Sequence, residues 1–383
     1  MEGVFGPFIP LGRALLAAGH EVIVATGPDL PERNPDTGFR FEAAGIAAME
    51  GVMGAMADAE VKAAPQGDRI RFPAAMFGWV IPSAKLGALR ELAASFKPDV
   101  IVHPPVDLAG PLLAAERGLP SVCYGFGQPL DADVVAATAE RAAPLWLEAG
   151  IEPEPFGGIY RGGYLDPRPP SLRDDLGMPT AIAVHEIRPE VPGDADAPLP
   201  GWASELGRRP VVYVSLGTAP LFNQPAKFVP LLEGLTNEDV EVVVTVSKLH
   251  DPAALGELPA TVHVERWLPL APLLSRCAAV VCHAGTGTTL AALRAGLPLV
   301  LTPQGADQFD NARACQRAGV ARVLMPEQVS AQAVREAVRA VLAPDSSERG
   351  AVEAVAAEIA RMPSAASVVE RLETIAGRAR AAA

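Results

Sequence analysis

A repeating rhythm constrains this chain more than any other feature: short apolar runs alternate with helical stretches, many of them ended by a glycine. In the second half the runs are Val211-Val212-Tyr213-Val214-Ser215, residues 241–246, Val262-His263-Val264, residues 278–282, Leu299-Val300-Leu301 and residues 321–324. An uninterrupted apolar run with no polar alternation describes a strand covered on both faces. Strands of that kind separated by helices specify an α/β fold with a parallel sheet. The first half carries the same rhythm. A helix is expected over 10–18 with Gly19 ending it, a buried strand over 21–26, and a helix over 83–96 stopped by Lys97-Pro98-Asp99. Then come a strand at Val100-Ile101-Val102, a helix over 108–117 capped by Gly118, and a strand over 120–124.

The 383 residues exceed one ordinary core and suit two. Between about 151 and 210, Pro153, Pro155, Pro167, Pro169, Pro170, Pro189, Pro192, Pro198 and Pro200 argue against long helices, and the linker itself is expected over 189–209. The expectation is a Rossmann-like domain over 1–200, a second over 201–365, a C-terminal helix over 366–383, and a ligand cleft between the domains. One element is missing. A doubly wound domain opens on a strand, and residues 1–5 are too short to supply a strand and its turn. Either the first, central strand is absent from this sequence or another segment replaces it.

Charge narrows the partners. With 32 Lys and Arg against 45 Asp and Glu, the net charge of -13 argues against nucleic acid, which needs clustered cations. A small anion held at one helix N-terminus remains compatible with it. Cys123, Cys277, Cys282 and Cys315 lack metal-ligand spacing and read as buried, reduced thiols. The opening MEGVFGPFIP has neither a basic region nor an apolar core of a secretion signal, and no apolar run reaches membrane-spanning length, so a soluble cytoplasmic protein is expected.

The most informative segment is VVCHAGTGTTLAALRAGLPLVLTPQGADQFDNA, residues 280–312. A buried strand delivers the chain to His283, and a Gly-rich turn then opens a helix near Thr288. Free N–H groups and the positive end of the helix dipole converge there. Gly285 and Gly287 let the main chain approach an anion, Thr286, Thr288 and Thr289 add hydroxyls, and His283 adds a ring donor. A diphosphate fits; a plain structural turn is the alternative. The loop Pro303-Gln304-Gly305-Ala306-Asp307-Gln308 follows the next strand and so leaves the same sheet edge. Asp307 and Gln308 together suit the vicinal hydroxyls of a sugar. The alternative is a polar turn ahead of a helix over 310–318, with Asp310 as its N-cap.

As a set, HAGTGTT, AGLPLV, PQGADQFDNA and RWLPLAPLL resemble the GT-B glycosyltransferases of the family-1 type, especially bacterial enzymes that glycosylate macrolides and enediynes. The resemblance is close over residues 208–330 and looser before them. It implies two Rossmann-like domains with a cleft between them. It also implies inverting, metal-independent transfer of a sugar from a dTDP- or UDP-sugar to a hydroxyl of a small hydrophobic acceptor, with a homodimer left open. By the family pattern His283, Gly285, Thr286, Gly287 and Thr288 would hold the diphosphate, and Asp307 and Gln308 the sugar. Trp267 would lie against the base, with the main chain near Leu268 pairing to its edge, and Ser215 and Thr218 would contact phosphate or the base side.

The catalytic base is where this chain departs from the pattern. The family places a His after its first strand; here residues 3–22 align without gaps and that position holds Val4, which cannot accept a proton. His20 matches a structural Gly-His turn. The acid the family often carries near Pro104 is absent, which leaves Asp107 as the nearest carboxylate and His103 as a conceivable base, although an N-cap role suits Asp107 better. Three explanations stand open: an engineered base knockout, an enzyme using another base or an acidic acceptor such as a phenol, or a donor-binding homologue without catalysis. Phe72, Met76, Phe77, Trp79 and Trp146 are candidates for an acceptor pocket or for core. A nicotinamide-dependent oxidoreductase is disfavoured, because neither half carries GxGxxG with an acidic residue about 20 positions on.

Overall fold

The computed structural model describes residues 2–34, 37–173, 182–191, 197–219, 222–248 and 250–382. In the first half β1 (Ile23–Thr26) pairs with β2 (Arg40–Ala43), and a separate four-stranded sheet runs in the order β3 (Ile101–His103), β4 (Ser121–Tyr124), β5 (Tyr164–Asp166), β6 (Val184–Glu186). The second half forms one six-stranded sheet from β7 (Val211–Ser215), β8 (Glu241–Thr245), β9 (Val262–Glu265), β10 (Ala279–Cys282), β11 (Leu299–Leu301) and β12 (Ala321–Val323). Its order is β12-β11-β10-β7-β8-β9, and every pairing in the three sheets is parallel.

The apolar runs of the second half are explained by the two cores they feed. Val211, Tyr213, Val243, Val280, Cys282, Leu299 and Leu301 enter one core, while Val212, Val214, Val242, Val244, Ala279, Val281 and Val300 enter the other. Alternate residues point to opposite faces, and helices cover both faces, so neither set can be polar. The order also fixes where a ligand goes. From β7 the chain moves outward through β8 and β9, then returns to the other side of β7 at β10. The β7–β10 boundary is thus a topological switch point, with a crevice at the carboxyl ends of its strands.

The first half differs from the sequence expectation first at its opening strand. Its apolar strand β1 is only half-buried along its whole length, not buried, because among the described residues it pairs with β2 alone. No described strand joins β1 to β3, so the sheet is divided at the position where a doubly wound domain carries its first strand. Residues 2–5 form a single helical turn instead, and Phe5 packs edge-on against Phe39 and tilted against Phe41.

Other boundaries shift by a few residues. The first long helix spans Phe8–Ala17, and the helix expected over 83–96 starts at Ile81 as the continuation of a π-turn at Met76–Val80. The Pro-rich stretch forms no helix longer than a 3-10 turn among its described residues, but it does supply β5 and β6. Pro192, within the expected linker, lies outside the described residues. The helix Ala365–Ala382 returns to the first half, where Val368 and Leu372 join Leu11, Val122, Tyr124, Leu165 and Ile187 in one core. No helix among the described residues is long and apolar enough to cross a membrane.

Cys123, Cys282 and Cys315 are buried free thiols and Cys277 is partly buried. Burial pushes Cys277 up to about 12 and Cys282 to about 11, so both are protonated small hydrophobes at neutral pH.

Candidate donor site at the switch point

The loops after β7, β10 and β11 meet at the switch point. Strand β10 ends at Cys282, and His283 and Ala284 lead to Gly285, the N-cap of the helix Thr286–Arg294. That helix starts earlier than the expected Thr288 or Thr289, so Gly287 and Thr288 lie in its first turn. No side chain caps it. The first N–H groups of a helix have no intrahelical acceptor, so Thr286, Gly287 and Thr288 present theirs at the strand edge. A Cβ on Gly287 would meet nothing within 4 Å, so space adjoins the turn. Thr289 is buried beside Cys282, 3.9 Å from its Sγ, and offers nothing to a ligand.

His283 fixes the glycines around it. A Cβ on Gly285 would stand 2.3 Å from its Nε2, and one on Gly217, in the loop after β7, 2.5 Å from its Cε1 and Nε2. Both positions are closed to larger residues by the imidazole itself. Burial pushes His283 down to about 4, with the Ser215 main chain opposing the shift, so the ring is neutral at pH 7. Its Nδ1 is buried without a partner, an expensive arrangement unless something else meets it. Backbone strain gathers at the same edge: Ser247, Ala284 and Ala306, each in a loop after a strand of this sheet, have φ of 74, 62 and 52°.

Ser215 is the last residue of β7, but its hydroxyl is turned inward. Its Oγ accepts from the Gly217 N–H and from Thr245 Oγ1, each at 3.3 Å, and Thr245 bonds Tyr213 at 2.7 Å. Thr218 is half-buried in the loop beyond. Trp267 is 57% exposed, with Lys248 Nζ 5.5 Å from its ring centroid, while the Leu268 side chain belongs to the core and leaves only main chain to offer.

In the third loop the helix spans Gln308–Arg317, with Asp307 rather than Asp310 at the N-cap position. Asp310 lies inside the first turn and pairs with Arg313. The Asp307 Oδ2 accepts from Asn311 Nδ2 at 3.0 Å and from the Thr286 hydroxyl at 3.3 Å. Burial outweighs these bonds and raises its carboxyl above the usual range. Gln308 closes its own loop, its Oε1 accepting from the N–H groups of Gln304 and Gly305 at 2.9 and 3.3 Å. Asn311, Lys248 and the loop at Gly127 were not read from the sequence. Asn311 was within reach, because it lies four residues from Asp307 on one helix face.

The first half brings its own strand ends toward this edge. Gln128, in the loop after β4, donates its N–H to Asn311 Oδ1 at 3.1 Å. Arg69 lies over the ring of Phe309, 5.9 Å from its centroid. Beside Arg69, Asp68 and Ile70 help line a cavity of about 650 Å³ with Trp79, Arg71, Arg141 and Pro144. Of the five residues that read as either acceptor pocket or core, Trp79 lines this cavity, Met76 and Trp146 are core, and Phe72 and Phe77 pack against the Met76 cluster.

Each candidate catalytic residue lies in the first half and has its own surroundings. Val4 sits half-buried in the single turn Glu2–Phe5. His20 is on the surface, its Nε2 3.0 Å from Glu373. His103 is buried at the end of β3, its Nδ1 3.0 Å from the Pro104 carbonyl and its Nε2 without a partner. Burial lowers its pKa. Asp107 stands one residue before the N-cap Leu108 of the helix Ala109–Arg117, yet its Oδ1 accepts from the Ala109 and Gly110 N–H groups, at 3.0 and 3.1 Å, and its other oxygen binds Lys85.

Known proteins share this architecture. The family model for the C-terminal domain of erythromycin biosynthesis protein CIII-like proteins matches residues 230–375, and the N-terminal domain model matches residues 13–217. The L-demethylnoviosyl transferase of Streptomyces niveus is 32% identical over 381 residues, covering 96% of this chain and 93% of that protein. Elloramycin glycosyltransferase ElmGT of Streptomyces olivaceus is 31% identical, with 97% and 94% covered. The structure of the glycosyltransferase SnogD from Streptomyces nogalater aligns with a TM-score of 0.77 at 30% identity, covering 97% of this chain and 96% of that one. Spinosyn rhamnosyltransferase SpnG, complexed with thymidine diphosphate, aligns with a TM-score of 0.81 at 25% identity over 97% of each chain. The two parallel-sheet halves are thus the two domains of a GT-B fold, and the chain belongs to the erythromycin biosynthesis protein CIII-like family, homologous to natural-product glycosyltransferases of Streptomyces.

Proposed function

We propose that this protein binds a dTDP-sugar at the switch point of its second sheet and transfers the sugar, with inversion, to a hydroxyl of an apolar natural-product acceptor. One observation carries the reading: an uncapped helix start at Gly285–Thr288 beside a buried His283 whose Nδ1 lacks a partner. Three free N–H groups and the helix dipole neutralise a diphosphate without calling on a metal. Trp267 offers an exposed ring to the base, and Asp307 and Gln308 hold the sugar. The thymidine diphosphate bound by SpnG favours dTDP over UDP.

In the transfer, the acceptor oxygen forms a bond to the anomeric carbon as the bond to the diphosphate oxygen breaks. The nucleoside diphosphate leaves with the negative charge, and the acceptor proton must go to a base. Val4 cannot take it, Asp107 is committed to Lys85 and two N–H groups, and His103 is enclosed beneath the helix Ala109–Arg117. Transfer by this chain is accordingly restricted to acceptors acidic enough to lose the proton to solvent, such as phenols. The cavity lined by Trp79, Ile70 and Pro144, with Glu60, Asp68, Arg71, Glu140 and Arg141 also on its wall, receives the acceptor, since the Arg69–Phe309 contact lies beside it and reaches the helix that follows the donor loop.

Titration calorimetry with dTDP and UDP tests the donor site. Binding in the micromolar range is expected, weakened about tenfold in His283→Ala; absence of binding by any nucleoside diphosphate overturns it. A second reading, a donor-binding homologue without catalysis, is favoured by Val4. It gains if phenolic acceptors that bind are never glycosylated.

A further inference from the structure

The first domain reaches the donor loops most closely at Gly127 and Gln128. A Cβ on Gly127 would stand 2.3 Å from Thr286 Oγ1, 3.1 Å from Asp307 Oδ2 and 3.2 Å from Asn311 Oδ1. Only a residue without a side chain brings the main chain this close, and the next residue, Gln128, completes the contact with its N–H on Asn311.

Gln128 is held at both ends of its side chain. Its Nε2 donates to the Leu172 carbonyl at 2.7 Å and its Oε1 accepts from Arg168 Nη1 at 2.7 Å. Arg168 is gripped by Asp166 of β5 through Nε at 2.9 Å and Nη2 at 2.8 Å. All three side chains are buried. On the other side, Asn311 Nδ2 faces three acceptors: the Ala284 carbonyl at 3.1 Å, Thr286 Oγ1 at 3.1 Å and Asp307 Oδ2 at 3.0 Å. An unbroken run of buried polar groups therefore links the end of β5 in one domain to Asp307 in the other. A buried network of this kind is rigid when fully satisfied and costly when one member is lost.

We propose that Asn311 is a positioning residue that locks Asp307 to the diphosphate turn, and that Gly127–Gln128 reports this arrangement to the acceptor domain. Oδ2 of Asp307 is consumed by Thr286 and Asn311, so the sugar hydroxyls take the other oxygen. Sugar recognition and closure of the domains become one event, because the group that meets the sugar is held by the group that meets Gln128. The inference rests on the reading of Asp307 as a sugar ligand.

Calorimetry with two probes, dTDP and dTDP-glucose, tests it in the full chain. In Gln128→Ala, which keeps the main-chain N–H to Asn311 but removes the side chain that anchors that segment to Leu172 and Arg168, the affinity for dTDP-glucose is expected to fall about tenfold while that for dTDP stays within about threefold. Asn311→Ala, if folded, is expected to give the same split. A structural defect would lower both affinities together, and that result overturns the proposal, as does an unchanged affinity for both. Wild-type protein that binds dTDP but gains nothing from the sugar also overturns it. Failure to bind dTDP at all is a different outcome and removes the donor site itself.

Discussion

The imidazole of His283 fills the space that a side chain at Gly217 would need. The two residues belong to loops on either side of the switch point, after β10 and β7, and a Cβ at 217 would stand 2.5 Å from two ring atoms. Gly217 also has a φ of 78°, a region that side chains avoid. Substituting Gly217→Ala is expected to destabilise the fold by about 1–3 kcal/mol through strain and crowding. It should also weaken dTDP binding about tenfold by displacing the ring. Denaturant unfolding and calorimetry read the two effects; an alanine variant of unchanged affinity would show that the ring's position does not matter to the donor.

Protonation of His283 gives the donor site a pH signature. Burial holds the free ring down to about 4, and an adjacent diphosphate favours the imidazolium, so binding raises that value. Affinity for dTDP should rise as pH falls through the bound value and level off below the free one. The phosphate titrates as well, so the wild-type profile is compared with that of His283→Ala. Parallel profiles would remove His283 from the diphosphate.

Trp267 separates stability from binding. Its ring is 57% exposed, so Trp267→Ala should change stability by no more than about 0.5 kcal/mol. Loss of a stacked base costs about 1–3 kcal/mol, which predicts roughly tenfold weaker dTDP binding. A thermal melt beside a calorimetric titration decides it; equal affinity in the variant would place the base elsewhere.

Asp107 should behave as a structural residue. Removing it in Asp107→Ala leaves the Ala109 and Gly110 N–H groups without their acceptor and strands Lys85, at a cost of about 2 kcal/mol. Burial opposes its charge, but Lys85, His103 and the Gly110 N–H prevail and hold the carboxyl below its usual range. Its folded value is thus lower than its unfolded one. The stabilisation is therefore present above the unfolded value of 3.8 and lost as pH falls through the folded one. Unfolding of both proteins between neutral and acid pH should show the gap closing, with dTDP affinity unchanged in the variant at neutral pH.

Much of the second domain was legible because burial on both faces leaves only one kind of strand. Its six strands were all read, and so was the turn at His283. What escaped was set by tertiary contacts. The helices Ala132–Glu148 and Pro225–Leu235 carry Pro144 and Pro230 inside them, where a proline ordinarily argues against a helix. Strands β5 and β6, of three residues each, lie in a proline-rich stretch with no periodicity to expose them. Helix starts were read two or more residues late at Thr286 and Gln308, because Gly and Thr in one and a polar loop in the other conceal the first turn. The sequence also offered no sign that Gln128 meets Asn311, 183 positions away.

Val4 offers a gain-of-function test. Val4→His is expected to extend transfer from phenolic to alcoholic acceptors, with a new pH dependence near the usual histidine range of about 6.5. Chromatography of reaction mixtures across pH reads both. No new product from an alcohol that binds would show that a base at this position is not enough in this chain.

The helix Ala365–Ala382 ties the chain into a ring. It lies against the helix Phe8–Ala17, and His20 meets Glu373 across 353 positions of sequence. As the chain leaves the ribosome, the part of the Leu11 core that Val368 and Leu372 complete stays open until the second domain has emerged. The core of the first domain is thus completed by the last helix of the chain. That step closes a very long loop, whose entropic cost grows only slowly with length but whose search is slow. Refolding of the intact chain should accordingly show the second sheet acquiring hydrogen-exchange protection before the helix Phe8–Ala17 does.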